Sequence, residues 1–97
     1  TNWKAVLFSE KGEIIRKTQI SAQIINDTAG ACYDPEIIWK SISGEIKKLI
    51  ADDVIPDAVC VTSMAEAGLP LGKECNPLYP AITWYDVRSI KQAEFLK

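Results

Sequence analysis

Asp34-Pro35-Glu36 constrains the architecture of this chain more than any other stretch. Asp accepts hydrogen bonds from the N–H groups that a first helical turn leaves without partners, Pro brings a preset φ, and Glu suits the positive end of the helix dipole. The three residues predict a helix over residues 35–51. Ile38, Ile42, Ile46, Leu49 and Ile50 follow at three- and four-residue steps on one stripe, while Lys40, Glu45, Lys47 and Lys48 fall mostly elsewhere. One face packs, with Trp39 counted in the core, and the other is wet.

The segments around this helix read as strands. Residues 3–8 are an apolar run broken by Lys4; Ser9-Glu10-Lys11-Gly12 and then the β-branched stretch 13–20 make the pattern a β-hairpin. Residues 21–31, with Asn26-Asp27-Thr28 and Gly30, sustain neither period and predict a loop with a short extended piece. Ala58-Val59-Cys60-Val61 is a continuous apolar run of the kind that forms a buried parallel core strand. Residues 62–70, rich in small side chains, lie just past the carboxyl end of that strand, where open α/β sheets bind ligands. Residues 78–84 read as extended, and Asp86 opens a last helix over 87–97. The order β-β-α-β-loop-β-α is that of an α/β fold.

Composition narrows the function. Ninety-seven residues suit one small domain or part of a larger one, and area scaling lets such a chain bury roughly 65% of its unfolded surface. Eleven Lys+Arg against 13 Asp+Glu give a net charge of -2, which offers no basic footprint for nucleic acid. No apolar run approaches the ~20 residues of a membrane span, and the expected location is cytoplasmic. Cys32, Cys60 and Cys75 lack metal-site spacing and are expected to be reduced, buried small hydrophobes. With no histidine, an imidazole base or a His-ligated metal is excluded within these residues. The chain begins Thr1-Asn2-Trp3-Lys4 without an initiator Met, as though cut from something longer.

Several separated pieces together resemble one family, the FGGY carbohydrate kinases. Thr1-Asn2-Trp3-Lys4 resembles the last four positions of the family's Asp-x-Gly-Thr-(Thr/Ser)-x-x-Lys/Arg motif, followed by Ala5-Val6-Leu7-Phe8, a turn with Gly12, and Glu13-Ile14-Ile15. Tyr33-Asp34-Pro35-Glu36-Ile37-Ile38-Trp39 is similar to its Asp-Pro-x-x-x-Trp helix start, and Pro80-Ala81-Ile82-Thr83-Trp84-Tyr85-Asp86-Val87-Arg88-Ser89 to its Pro-Ala-Ile-x-Trp-x-Asp-x-Arg segment. The resemblance implies a partial ribonuclease H-like (actin-like ATPase) domain. Residues 1–97 would be part of the N-terminal, sugar-binding domain, lacking its first strand and with no second domain, roughly a fifth of a two-domain chain that binds ATP and sugar in a cleft.

The resemblance also implies roles. The parent would transfer the ATP γ-phosphoryl group, with Mg, to a hydroxyl of a sugar, polyol or sugar acid, as xylulose, glycerol and gluconate kinases do. Thr1, Asn2 and Lys4 would reach the nucleotide phosphates as hydroxyl, amide and cationic donors. Glu66 falls where glycerol kinases carry the Glu of Asn-Gln-Arg-Glu and xylulose kinases the His of Gln-Met-His; a carboxylate there suits a diol. Met64 and Ala65 beside it depart from both patterns, so neither substrate is assigned. Trp84 would wall the sugar site, with Asp86 and Arg88 contacting substrate or pairing to fix the loop; Asp86 also suits the N-cap of the last helix and Trp84 a core position. The family's phosphate-facing Asp falls before Thr1 and its catalytic base after Lys97. The 97 residues alone are therefore expected to hold no catalytic residue and no kinase activity, and to be marginally stable beside an open strand edge. The partner implied is a small sugar or polyol, with neither nucleic acid nor membrane, and a homodimer of the parent is left open. Two alternatives stand beside this reading: another sugar kinase lineage, and a non-catalytic binding or scaffold domain of the actin-like superfamily.

Overall fold

The computed structural model describes residues 2–50, 54–63 and 67–97. They divide into two compact units, Thr1–Gln23 with Glu36–Thr62, and Ile24–Pro35 with Ser63–Lys97.

In the first unit, β1 (Asn2–Phe8) and β2 (Ile14–Ser21) form the predicted antiparallel hairpin. Its turn closes through Ser9 N–H to the Glu13 carbonyl (2.8 Å) and Gly12 N–H to the Ser9 carbonyl (2.9 Å). Gly12 sits at φ +79°, a conformation that costs a residue without a Cβ little. The register Trp3↔Ile20, Ala5↔Thr18, Leu7↔Arg16 puts these six side chains on one face, and they are the less exposed half of each strand.

Helix α1 (Pro35–Leu49) starts at the predicted residue and places Glu36 in its first turn and Lys47 and Lys48 in its last, as the dipole favours. Ile42, Glu45 and Leu49 meet the inner face of the hairpin. A cavity of about 10 Å³ lined by Trp3, Lys4, Ala5, Ile20, Ile42 and Glu45 lies there, and Arg16 Nη1 donates to the Leu49 carbonyl at 2.9 Å, satisfying a helix C-terminal acceptor. Two side chains on this helix differ from expectation. Glu45, predicted wet, is buried: it accepts the Lys48 ammonium (2.5 Å) and the Thr18 hydroxyl, which in that order hold its carboxyl below the ordinary 4.5. Trp39, predicted core, is 69% exposed, because the inward stripe runs Ile38-Ile42-Glu45-Leu49 and position 39 lies one step of about 100° around the helix.

The predicted parallel core strand is corrected. Residues 58–61 pair with no strand among the described residues, and Val59 and Val61 are 73% and 85% exposed. A buried strand needs ladder partners on both edges and cover on both faces, and the described chain gives this run neither.

In the second unit, β3 (Ile25–Asn26), β4 (Ala31–Tyr33) and β5 (Ala81–Ile82) form an antiparallel sheet in that order. β3 is the short extended piece expected within 21–31; β4 shares only Ala31 with that predicted loop and was not expected as a strand, and the extended stretch 78–84 contracts to the two residues of β5. Tyr33↔Ala81 and Cys32↔Ile82 fix the register, and Thr83 N–H extends it to the Ala31 carbonyl at 3.3 Å. Cys32, Tyr33, Ala81 and Thr83 are buried. Cys60 and Cys75 are exposed, so the burial expected of all three cysteines holds only for Cys32. The last helix is α2 (Ile90–Phe95), shorter than the predicted 87–97, and its N-cap position is Ser89. Asp86 is instead turned away into the site described next. No helix among the described residues is long and apolar enough to cross a membrane.

Candidate functional site

Four of the sequence-predicted site residues, Thr1, Met64, Ala65 and Glu66, lie outside the described residues. Of the others, Trp84, Asp86 and Arg88 come together in the second unit, while Asn2 and Lys4 belong to the first.

The Trp84 segment is built from the end of β5. Thr83 is buried and tied to Ala31; Asp86 N–H then bonds the Thr83 carbonyl at 3.1 Å, closing a turn whose two central residues are Trp84 and Tyr85. Their rings meet edge to face with centroids 5.5 Å apart, and Trp84 is 52% exposed, which corrects its alternative reading as core. After the turn, Asp86 points inward with a side chain only 2% exposed. Arg88 Nε donates to Asp86 Oδ1 at 2.8 Å and Nη2 to Oδ2 at 3.0 Å, the two-pronged pairing that an Arg fork and a carboxylate share. The Arg88 N–H closes the same carboxylate at 2.9 Å.

Arg88 reaches further. Nη1 faces Asp27 Oδ2 at 3.2 Å and the Tyr79 oxygen at 3.4 Å, while Nη2 faces Asp27 Oδ1 at 3.3 Å and Cys32 Sγ at 3.3 Å. Asp27 in turn caps its own loop, accepting the N–H groups of Ala29 and Gly30 at 2.7 Å each, and accepts the Tyr79 hydroxyl. Sequence reading gave Asp27, Cys32 and Tyr79 no part here. The available signal was Asp27-Thr28-Ala29-Gly30, an Asx-type turn pattern, although nothing in it names a partner 61 positions away.

The electrostatics follow the bonds. Asp27 is held well below its ordinary 3.8, first by the Tyr79 hydroxyl and then by the Ala29 N–H; Asp86 is lowered from 3.8, first by the Arg88 side chain and then by its N–H. Arg88 is raised, chiefly by Asp86, and Tyr79 is raised, chiefly by Asp27. For carboxylates whose folded value is depressed, the unfolded chain binds more protons near pH 4, so their stabilisation is present above about pH 4 and lost below it. Urea unfolding of the chain between pH 7 and pH 2 should show stability falling below about pH 4. The Asp86→Asn variant, already weaker at pH 7, should lose up to about one proton from that acid slope. An unchanged slope would remove Asp86 as a contributor.

Around this centre, Gly68 bridges to Ile82 on β5, so the described end of the 62–70 loop is anchored two residues from Trp84. In the first unit, Asn2 and Lys4 are exposed, spaced by two on one face of β1, and pair across the hairpin with Ser21 and Gln19. Among the described residues no group of three or more His, Cys, Asp or Glu side chains is arranged to hold a metal.

Comparison with known proteins supplies the frame for this geometry. The model of the FGGY family of carbohydrate kinases, N-terminal domain, matches residues 1–97. A gluconokinase of Bacillus licheniformis is 31% identical over 100 residues, covering 100% of this chain and 20% of that protein. A gluconokinase of Bacillus subtilis (strain 168) is 31% identical over 101 residues, with 100% and 20% covered. A glycerol kinase of Fusobacterium nucleatum subsp. nucleatum is 32% identical over 105 residues, with 100% and 21% covered. The chain thus spans about a fifth of the length of the curated relatives it matches. No solved structure matches it.

Proposed function

The chain belongs to the FGGY family of carbohydrate kinases, and on that premise we propose that the polypeptide carrying it transfers the γ-phosphoryl group of ATP to a hydroxyl of a polyol or sugar acid. Gluconokinases and glycerol kinases are among its relatives, which makes gluconate-like acids and short polyols the first substrates to try.

The observation that carries this reading on the chain itself is Trp84. Single exposed apolar side chains are ordinary, Trp39 among them; what sets Trp84 apart is that its indole stays open on a turn that is held from beneath. Here the turn beneath it is fixed by a buried carboxylate, a guanidinium and a backbone bond to β4. That is how a binding surface is pre-organised, and an indole face suits the C–H side of a carbohydrate. Gly68, the described end of the 62–70 loop, bridges to β5 beside this turn, and Met64, Ala65 and Glu66 remain proposed substrate contacts. Glu66 would accept two neighbouring hydroxyls.

Of the two roles open to Asp86 and Arg88, substrate contact or pairing to fix the loop, their bonds favour the second. Their mutual bonds leave them as the frame of the turn, and Trp84 as the surface it presents. Thr1, Asn2 and Lys4 remain the proposed phosphate donors. The exposed amide and ammonium on one face of β1 have the right chemistry for phosphate oxygens. The described residues do not fit a Mg site, and no step is assigned to a metal on this chain. Orienting or deprotonating the attacking hydroxyl also needs a carboxylate that the described chain does not place beside Trp84. We expect the 97 residues by themselves to be inactive.

The test is ADP release by the intact polypeptide with Mg-ATP across aldonates, polyols and ketoses, run beside the 97-residue chain. Turnover of one class by the intact polypeptide, and none by the short chain, is expected. Measurable ATP binding without turnover of any compound would favour a non-catalytic binding domain instead.

A further inference from the structure

We propose that Asp27 is the positioning residue of the Trp84 turn, acting through Arg88 and Tyr79; the inference rests on the reading of Trp84 as a wall of the carbohydrate site. Arg88 offers five N–H donors on a rigid plane. Its Nε is taken by Asp86, its two Nη1 hydrogens by Asp27 and Tyr79, and its two Nη2 hydrogens by Asp86 together with Asp27 and Cys32. Every donor thus has a protein acceptor. A guanidinium so used, with its side chain only 19% exposed, holds structure rather than ligand.

The far end of that hold is Asp27. It stands on the 26–31 connection between β3 and β4, locked by the N–H groups of Ala29 and Gly30, and takes the Tyr79 hydroxyl from the segment before β5. Arg88, from the segment after β5, completes the junction. The segments on either side of β5 are thereby tied to the distant β3–β4 loop, away from the Gly68 bridge. Asp86 fixes the local bend and accepts the Ala31 N–H, whereas Asp27 is the carboxylate that joins Tyr79 to Arg88. Without the Asp27 charge, Arg88 keeps one carboxylate and its Nη1 loses its ionic partner. The turn bearing Trp84 keeps its local bonds to Thr83 and Asp86 but loses its ionic hold on the β3–β4 loop, and is expected to shift while the sheet stays paired.

A merely structural Asp27 would change stability and leave Trp84 in place in the folded molecule, so the readout is Trp84 itself. The intact polypeptide is labelled with 5-fluorotryptophan, and the Trp84 resonance is assigned by its loss in Trp84→Phe. In Asp27→Asn that resonance alone is expected to shift or broaden. The KM for the carbohydrate should rise about tenfold or more, with kcat and the KM for ATP within about twofold. Arg88→Lys should reproduce both effects, since a point charge cannot span the same acceptors. An unmoved Trp84 resonance in folded Asp27→Asn, or equal movement of every tryptophan resonance, overturns the proposal. Should Asp27→Asn fail to fold, Tyr79→Phe takes its place on the same criterion. The resonance decides the tether and turnover decides the kinase reading. A shifted Trp84 in a protein that phosphorylates nothing upholds the first and removes the second, whereas normal turnover with an unmoved resonance does the reverse.

Discussion

Trp84→Ala in the intact polypeptide is expected to lower kcat/KM for the carbohydrate about 100-fold, and Glu66→Ala by a similar factor, while ATP binding stays within about twofold of the parent. The two losses have different physical origins. Removing the indole strips an apolar surface from a site whose remaining described neighbours are turn backbone and Tyr85, so the substrate binds in several orientations and few of them are productive. Removing the carboxylate takes away an acceptor for two hydroxyls, and those hydroxyls must then be desolvated without compensation. Trp84→Phe should recover most of the first loss because it keeps a flat ring on the same turn; Glu66→Gln should recover little of the second because an amide lacks the charge that strengthens those bonds. Steady-state kinetics with the preferred acceptor, beside ATP affinity measured by calorimetry, separates these effects. A Trp84→Ala enzyme with unaltered kcat/KM would return the tryptophan to a packing role against a part of the polypeptide beyond the described residues.

Sequence reading reached the parts of this fold that are governed by local rules. The Ser9–Gly12 turn and the start of α1 at Pro35 depend on a few neighbouring side chains and came out where expected. The Asp86–Arg88 pair was also legible, since two residues of opposite charge separated by one position need little else to meet. What failed depended on distant partners. Residues 58–61 have the composition of a buried strand, but burial is a property of what lies on either side, and among the described residues they pair with no strand and leave Val59 and Val61 exposed. Glu45 reads as a surface residue until Thr18, 27 positions away, and Lys48 supply its hydrogen bonds. Asp27 is the same case at longer range. Its turn was visible as a turn, whereas its tether to Arg88 becomes visible only once β3, β4 and β5 have folded together. The sequence therefore yielded Trp84, Asp86 and Arg88 as neighbours, while Asp27, Cys32 and Tyr79 came into view only in the assembly.

Gly30→Ala should damage that assembly more than any other single-methyl change in the second unit. A Cβ at position 30 would overlap Asp86 Oδ2, stand 3.0 Å from Asp86 Cγ and 3.4 Å from Arg88 Nη2. Such an overlap is cheap only if the struck atom can swing away. Asp86 cannot, because Arg88 Nε, Nη2 and N–H grip it, its side chain is 2% exposed, and the Ala31 N–H also bonds to it. Either the carboxylate is expelled, which releases Arg88 and the Trp84 turn, or the 26–31 loop moves, which displaces Asp27 from the other side of the same guanidinium. Overpacking of this kind costs about 2 kcal/mol, equivalent to a fall of about 10 °C in the unfolding midpoint of a chain this size. Carbohydrate kcat/KM should fall about 100-fold in the intact polypeptide. The mechanism also predicts non-additivity. Asp86→Ala removes the group that the new methyl strikes, so Gly30→Ala added to Asp86→Ala should cost almost nothing further. If the double variant is instead less stable than Asp86→Ala by the full cost of Gly30→Ala, the lesion lies in the backbone conformation at residue 30 and not in its contact with Asp86.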